Sequence, residues 1–469
     1  MKELINSGKQ KKEKKNSISR RMAEFSSSLN FDEIPDKAVE EAKRFLLDSV
    51  GCALAACGNE DMERAHRYVK TLGGNNQATI IGYGTRANVA EATFMNSLLI
   101  RALDYNDIYW DQDPSHPSDL IPAALTPGEW KGRSGKVVLT GIVIAYELEM
   151  RLCRVAKPGI REIGWHHASL TQLVSPLIAG KMLGLSTDEL VSAVGISGSS
   201  HFTLGSVVAG ALTNMKNTAD PMAVEAGIRS ALLAKEGYKG PEKVFEGKEG
   251  IFEVIDSVNW DRDKLTLGLG DKFLITQCGY KAFPTEALTH QPITATLEIM
   301  KGNDIDYSEV QEVTVETITR AKDILADSSK YDPRTKETAD HSLPYCIAVA
   351  IVKGNVLPSD FEEETLFDEK VRNLLPRIKV VAENEIDSLF PRVKRAIVKI
   401  KTERGEFEKK VDYAKGSPEN PMSDNELIQK FKANAKRSLS EDLIDDVIQA
   451  TFNLESFDNI GEYLEMLHP

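Results

Sequence analysis

Helical spacing of apolar residues is the feature that most restricts how this chain can fold. Between Pro35 and Cys57, apolar side chains recur every three or four residues, as on the buried face of an amphipathic helix. Asn88 and Ser186 each precede another such stretch, and each stands three residues before a glutamate, the spacing of a capping box. Together these signals predict that the chain is nearly all helical up to about residue 265.

Three more helix starts complete this part. Ser134 opens a helix that is apolar on nearly every face, and another helix begins near His167 and ends before Gly184. Asp220 and Pro221 predict an N-cap followed by proline at the first helical position, in a helix that runs to about residue 237.

After Cys278 the pattern changes to strands mixed with helices. Residues 310–317 and 378–382 are rich in alternating β-branched residues, while 395–401 and 406–413 flank a turn that predicts a hairpin. Between these strands lie helical stretches at about 286–302, 340–353 and 361–375. From Ser423 onward the pattern is helical again, with Asn425, Ser438 and Ser440 as candidate caps.

These shifts predict four segments. Residues 1–20 are a disordered basic tail, 21–268 an all-helical domain, and 269–415 an inserted α+β domain. Residues 416–469 are helices that return to the first domain. The predicted fold is therefore mainly α, with a helical domain built from both ends of the chain. A length of 469 residues suits more than one core.

Composition excludes several classes of protein. The formal net charge of −13 argues against nucleic acid or an anionic membrane as the main partner. The longest apolar run, from Val137 to Tyr146, is too short to cross a bilayer. The five cysteines form no C-x-x-C pair and no iron–sulfur spacing, which favours reduced thiols and a cytoplasmic location.

The stretch from Asp104 to Asp119 contains too many ionisable groups for a simple connector. A carboxylate at a helix C-terminus, as predicted for Asp104, costs about 0.3–1 kcal/mol against the helix dipole. One interpretation places Asp104 and His116 at the floor of a pocket; the other makes the whole stretch a solvated acidic loop. For Asp107, Asp111 and Asp113 the solvated loop is the prediction.

Several basic groups lie beside predicted helix starts, where free N–H groups favour carboxylates and phosphates. His166 and His167 precede one helix and Lys216 another, although such residues are often simple caps or surface groups. Lys281, Glu286 and His290 lie at the boundary between the two domains, in either a ligand cleft or a hinge loop. His341 and Tyr345 are four residues apart, which suits one helix face, with a buried core histidine as the alternative.

Common cofactor motifs are absent. Gly268-Leu-Gly-Asp271 lacks a preceding strand and a third glycine, and there is no P-loop. Zinc-binding His-Glu-x-x-His spacing is also missing, and His166 and His167 form a weak metal pair because adjacent residues diverge around a helix. The sequence predicts no metal and no cofactor.

An ordered set of motifs resembles the MmgE/PrpD family over roughly residues 20–465. Each motif is weak alone, but together they occur in the family's order: Phe45–Cys52, Leu103–Asp107, His116–Asp119, His166, Lys216, Lys281–Pro284 and Asp340–Tyr345. The family includes 2-methylcitrate dehydratases, cis-aconitate decarboxylases and an iminodisuccinate epimerase. The resemblance implies a homodimer of chains that each pair an all-helical domain with an α+β lid.

The resemblance also implies a set of active-site positions, which match Asp104, His116, His166, Lys216, Lys281 and Tyr345, with His341 nearby. Decarboxylases of the family carry threonine where this chain has Ile108 and histidine where it has Glu286. The glutamate favours the dehydratase branch. Ser115 and Leu120 also depart from the Gly-His-Pro-Ser-Asp-Asn pattern common in dehydratases, so the substrate's identity stays open.

The resulting hypothesis is a cofactor-free lyase that removes water from a hydroxy-tricarboxylate such as 2-methylcitrate. Asp104 and His166 are candidates for proton transfer and Tyr345 for hydroxyl donation, without a choice between base and acid. The predicted substrate-binding residues are His116, Lys216, Lys281, His341 and Glu286. The alternatives are an epimerase or isomerase, a decarboxylase of a related polycarboxylate, and a carboxylate-binding protein without turnover.

Overall fold

The computed structural model describes residues 16–209 and 212–469. Most of the predicted basic tail, residues 1–15, lies outside the described residues. Ser17 is already ordered as an N-cap, because its side chain accepts a hydrogen bond from the Arg20 backbone N–H. The last three residues assigned to the tail are therefore helical.

The first unit is built almost wholly from helices. Its helices are α1 Ile18–Ser28, α2 Asp36–Ala56, α3 Glu60–Leu72, α4 Val89–Arg101, α5 Ile121–Trp130, α6 Gly135–Leu152, α7 Ala168–Leu183, α8 Thr187–Gly198, α9 Met215–Lys235, α10 Ile251–Val254 and α11 Arg262–Thr266. Two-residue strands pair between them: β1 Ala78–Thr79 with β2 Arg86–Ala87, β3 Tyr109–Trp110 with β4 Pro114–Ser115, and β5 Ala156–Lys157 with β6 Asn259–Trp260. The predicted caps Asn88 and Ser186 accept backbone hydrogen bonds at the starts of α4 and α8.

The predicted start of α9 is wrong. The helix begins at Met215, with Asn214 at the N-cap, so Asp220 and Pro221 lie inside it. Pro221 lacks the N–H that would bond to the preceding turn, which is why an Asp-Pro pair usually marks a helix start. Here the Asp220 carboxylate is buried against His167 instead of capping the helix.

The second unit combines a four-stranded sheet with helices. Its strands are β7 Glu312–Thr317, β8 Ile378–Ala382, β9 Ala396–Thr402 and β10 Gly405–Val411. Its helices are α12 His290–Gly302, α13 Thr319–Leu325, α14 Lys336–Ala339, α15 Leu343–Lys353, α16 Glu363–Leu366, α17 Glu369–Leu374 and α18 Asn384–Asp387. The strand order is β10-β9-β7-β8, in which β7 and β8 are parallel and the other pairs antiparallel.

The sheet follows the predicted pattern. Alternate residues of β7 and β9 are buried, so one face carries the apolar side chains that pack on α12 and α15. The hairpin between β9 and β10 turns at the predicted Thr402–Gly405 position. These contacts form a second core, separate from that of the first unit.

The C-terminal helices α19 Asp424–Ala435, α20 Glu441–Phe452 and α21 Ile460–Glu465 pack on the first unit and share its core. The chain enters and leaves the second unit at adjacent points, because the Tyr280 N–H donates to the Gly416 carbonyl oxygen at 2.8 Å. The fold is mainly α, as predicted. All five cysteines are free thiols. Among the described residues, no helix is both long and apolar enough to span a bilayer.

Candidate active site

A cavity of about 780 Å³ lies where the two units meet. Its walls come from the end of α4, the β3–β4 region, the turn before α7, the start of α9 and the second unit. Most of the predicted site residues line it: Asp104, His116, His166, Lys216, Lys281, Glu286 and His341. Arg101, His167, Arg161 and Arg320 also line it.

Asp104 lies at the centre of the charged groups in this cavity. Helix α4 ends at Arg101, and Asp104 adopts a left-handed backbone conformation with φ of 50°, which is uncommon for a residue other than glycine. Its carboxylate lies 2.8 Å from Lys281 Nζ and 3.2 Å from Lys216 Nζ, and it accepts a hydrogen bond from Arg101. Burial favours a neutral carboxyl, but these three cations outweigh burial and hold the pKa of Asp104 well below its ordinary value.

The two lysines have different surroundings. The Lys281 ammonium also donates to the backbone oxygens of Asp104 and Thr285, at 3.1 and 3.0 Å. The Lys216 ammonium is buried and contacts Asp104 alone, without a hydrogen bond of good geometry among the described residues. Burial lowers the pKa of Lys216 to about 8, against the opposing effect of Asp104. Lys216 therefore has donor capacity left for a ligand.

His116 is positioned as an uncharged imidazole. Its Nδ1 lies 2.6 Å from the Asp107 carbonyl oxygen, so Nδ1 carries the proton and Nε2 keeps its lone pair. Burial, together with the positive charges of Arg101 and Lys281, holds the pKa of His116 well below its ordinary value. A neutral imidazole with a free lone pair suits proton abstraction.

His166 is uncharged in the opposite tautomer. Its Nδ1 accepts the Ala168 backbone N–H at 3.2 Å, so Nε2 carries the proton. This Nε2 is fully buried and has no partner among the described residues. Burial, and then the neighbouring His167, holds the pKa of His166 well below its ordinary value. His166 can therefore donate a hydrogen bond to a ligand in the cavity.

His167 lines the cavity and begins a buried polar chain that continues through Asp220 and Thr171 to Glu149. Its Nε2 lies 3.2 Å from Asp220 Oδ2, and the Thr171 hydroxyl lies 3.1 Å from the other Asp220 oxygen and 2.9 Å from Glu149. The ligand atoms of His166, His167 and Asp220 lie within 4.8 Å of one another, the only such group within residues 16–209 and 212–469. Two imidazoles and a carboxylate can bind a divalent metal ion, but the positive charges of Arg101 and Arg161 beside them oppose one.

Glu286 and His341 line the side of the cavity formed by the junction and the second unit. The Glu286 carboxylate caps a short turn by accepting the Leu288 N–H at 2.6 Å, and burial raises the pKa of Glu286 to about 7. The His341 Nδ1 lies 2.5 Å from an Asp340 oxygen, and burial lowers the pKa of His341 to about 4. The negative charge of Asp104 acts on the pKa of both groups, so both lie near the central carboxylate.

Tyr345 does not reach the cavity, so its predicted role as a hydroxyl donor has no support from its position. Helix α15 begins at Leu343, after His341, and the two side chains therefore do not share a helix face. The Tyr345 ring lies in the core of the second unit, and its hydroxyl donates to the Asp360 carbonyl oxygen at 2.6 Å.

The acidic stretch is not the solvated loop that was predicted for its three other aspartates. Asp107 is buried and accepts the backbone N–H of Ser118 at 3.1 Å and its hydroxyl at 2.6 Å. Asp113 is also buried, while Asp111 is partly buried and paired with Arg154 at 3.1 Å. These carboxylates hold the loops that carry the site.

Five residues of the site were missed by the predictions: Arg101, Arg161, His167, Asp220 and Arg320. Arg101 could have been found as the basic residue three positions before Asp104, in the last turn of α4. His167 was noted beside His166 but not chosen, and Asp220 was interpreted as a cap. Arg161 and Arg320 have no signal in the sequence, because nothing local shows that their segments face the cavity.

Comparisons with known proteins match most of the chain to the two domains of one family. Residues 20–262 match the MmgE/PrpD N-terminal domain, and residues 283–454 match the MmgE/PrpD C-terminal domain.

Relatives with two different activities align with the chain. A cis-aconitate decarboxylase of Homo sapiens is 24% identical over 461 residues, which cover 96% of this chain and 94% of the relative. A 2-methylcitrate dehydratase of Escherichia coli O157:H7 is 23% identical over 469 residues, covering 93% of this chain and 95% of the relative. A 2-methylcitrate dehydratase of Salmonella typhi is 25% identical over 373 residues, covering 75% and 74%.

Proposed function

Because this chain belongs to the MmgE/PrpD family, with relatives that are lyases, we propose that it is a cofactor-free hydro-lyase of a hydroxy-tricarboxylate. The preferred substrate is 2-methylcitrate, which loses water to form 2-methyl-cis-aconitate. One observation carries the proposal: buried cations and two uncharged imidazoles line the same cavity.

Dehydration needs a base for a carbon-bound proton, an acid for the departing hydroxide and cations for the carboxylates. His116 is the candidate base, because its Nε2 lone pair is free and its other nitrogen is fixed by Asp107. A bound polyanion would raise the pKa of His116 again and make it a stronger base. His166 donates through Nε2 to a substrate oxygen.

Lys216 is the candidate acid and Lys281 a carboxylate-binding group. A pKa of about 8 leaves Lys216 protonated at neutral pH and yet able to release its proton to the departing hydroxide. Asp104 stays ionised, so we assign it to holding both ammonium groups in place and not to proton transfer. This changes the role expected for Asp104 from the sequence.

A screen by proton NMR tests the proposal, with citrate, 2-methylcitrate, cis-aconitate and iminodisuccinate as substrates. We expect an alkene product from 2-methylcitrate and unchanged turnover after exhaustive chelation. Lys216→Ala should lower kcat/KM by about 10²–10⁴-fold, while Lys301→Ala on the exposed face of α12 should have no effect. Loss of activity that only a metal ion restores would contradict the cofactor-free mechanism.

Decarboxylation is the second candidate, because the alignment with the human cis-aconitate decarboxylase covers 96% of the chain. In the same screen, cis-aconitate would then lose carbon dioxide while 2-methylcitrate stays intact. Epimerisation would show deuterium uptake from deuterated water without an alkene. Tight tricarboxylate binding without any product, insensitive to Lys216→Ala, would instead indicate a binding protein.

A further inference from the structure

Arg161 is a partly buried cation whose side chain has no bonded partner in the part of the chain that the structure describes. It lines the cavity, but among the described residues its guanidinium takes part in no ion pair and no hydrogen bond; only its backbone N–H is bonded. Burial lowers the pKa of Arg161, and the charges of Glu286 and Asp113 offset this in part. A partly desolvated guanidinium without a bonded anion is a costly arrangement, since such groups are usually paired.

The position of Arg161 is nevertheless fixed. The buried Asp113 carboxylate fixes its turn by accepting hydrogen bonds from the backbone N–H groups of Ile160 and Arg161, at 3.0 and 2.9 Å. Gly159 allows this approach, because a Cβ atom there would lie 2.5 Å from the Gln112 carbonyl oxygen. The backbone of this turn therefore fixes Arg161 at the cavity wall. A poorly positioned loop does not explain why its guanidinium lacks a bonded anion.

A second guanidinium lies near the first. Arg320, on α13, lines the same cavity, pairs with Glu162 and packs over the Trp110 ring at 5.4 Å. Burial, and then the positive charge of Arg161, lowers the pKa of Arg320 to about 10. Two like charges that line one cavity and repel each other are stabilised together by an anion that contacts both.

We propose that Arg161 and Arg320 form a second carboxylate subsite, distinct from the one around Lys216 and Lys281. The two subsites come from different segments: one from the turn before α7 and from α13, the other from α9 and the junction. A ligand that satisfies both must carry at least two separated carboxylates. This inference rests on the proposed function and deepens it, because it makes the number of carboxylates the property that the cavity selects.

Binding of substrate-like acids that cannot lose water tests the subsite without turnover. Tricarballylate has three carboxylates and no hydroxyl group, whereas butyrate has a single carboxylate. We expect Arg161→Gln to raise the Kd of tricarballylate at least tenfold by calorimetry, and Arg161→Lys to raise it less. The Kd of butyrate, measured by NMR titration, should change less than twofold.

Arg404→Gln is the matched control, because Arg404 is an arginine paired with Glu309, 2.9 Å away, and does not line this cavity. It should leave both Kd values unchanged. If wild-type protein binds tricarballylate and Arg161→Gln does not weaken it, or weakens both acids equally, the subsite is overturned while the proposed function stands. If wild-type protein binds no tricarballylate, the proposed substrate class is overturned, and the subsite with it. Variants are compared only when their unfolding temperatures agree with that of the wild type.

Discussion

At the scale of single residues, charge compensation explains why so many ionisable groups are buried around one cavity. Asp104 is only 2% exposed, yet it is ionised, because two ammonium groups and a guanidinium surround it. The three cations exceed this single carboxylate in charge. Arg101 also lies 3.6 Å from Asp119, whereas Asp104 is the only carboxylate within ion-pair distance of Lys216 among the described residues. Asp340 also favours the charged form of Lys216, without an ion pair between them. The Lys216 ammonium is the group that a substrate carboxylate or a departing hydroxide would meet.

The pH dependence of activity should report the titration of Lys216. Its pKa is lowered to about 8, so the ammonium form predominates below that pH and is lost above it. We therefore expect kcat/KM to fall on the alkaline side of pH 8, about tenfold per unit for one group. The measurement is a pH–rate profile of the wild type and of Lys216→Arg, whose guanidinium does not titrate in this range. An alkaline limb that persists unchanged in Lys216→Arg would assign it to another group.

At the scale of helices and strands, local signals predicted well where local energetics decide the structure. The capping box at Ser186, the period-two strand β7 and the turn before β10 are set by residues close together in sequence, and all three were confirmed. At Asn88 only the N-cap was confirmed, because the Glu91 carboxylate pairs with Arg229. The predicted start of α9 was wrong because the Asp220 carboxylate contacts His167, which is distant in sequence, and does not cap the helix. Burial of the acidic stretch was missed for the same reason, since the partners of Asp113 lie 47 and 48 residues away.

The capping box of α8 provides a test at this scale. The Ser186 side chain accepts the Glu189 N–H, and the Glu189 carboxylate accepts the Ser186 N–H at 2.7 Å. Ser186→Ala should lower the free energy of unfolding by about 1 kcal/mol. Ser440→Ala is the matched control, because Ser440 is also an exposed N-cap serine but makes no capping hydrogen bond through its side chain. Equal effects of the two substitutions, measured by denaturant unfolding, would contradict this account.

At the scale of the whole molecule, the buried ammonium of Lys430 connects an N-terminal helix, a C-terminal helix and the cavity. Lys430, on the C-terminal helix α19, lies 2.7 Å from Asp48 on α2. It also donates to the backbone oxygens of Tyr105 and Lys281 at 2.8 and 2.9 Å. Lys281 forms an ion pair with Asp104. A single residue, Lys430, therefore connects helix α19 to the site. The motifs could place Lys281 in the site, but not Lys430, because the residues that Lys430 contacts lie 149 to 382 positions before it in the chain.

Lys430→Met should therefore weaken both stability and activity. It leaves the Asp48 carboxylate buried without its partner, which typically costs about 3–5 kcal/mol of unfolding free energy. It also removes the hydrogen bond to the Lys281 carbonyl oxygen, which helps to position the Lys281 ammonium against Asp104. The value of kcat/KM should therefore fall even at temperatures where the protein stays folded. Asp48→Asn combined with Lys430→Met removes the buried charge and should recover part of the stability but not the activity. Lys432→Met, on the same helix and paired with Asp445 at the surface, should change the free energy of unfolding by less than about 1 kcal/mol. If Lys430→Met is as mild as this control, the ammonium does not join the ends of the chain to the site.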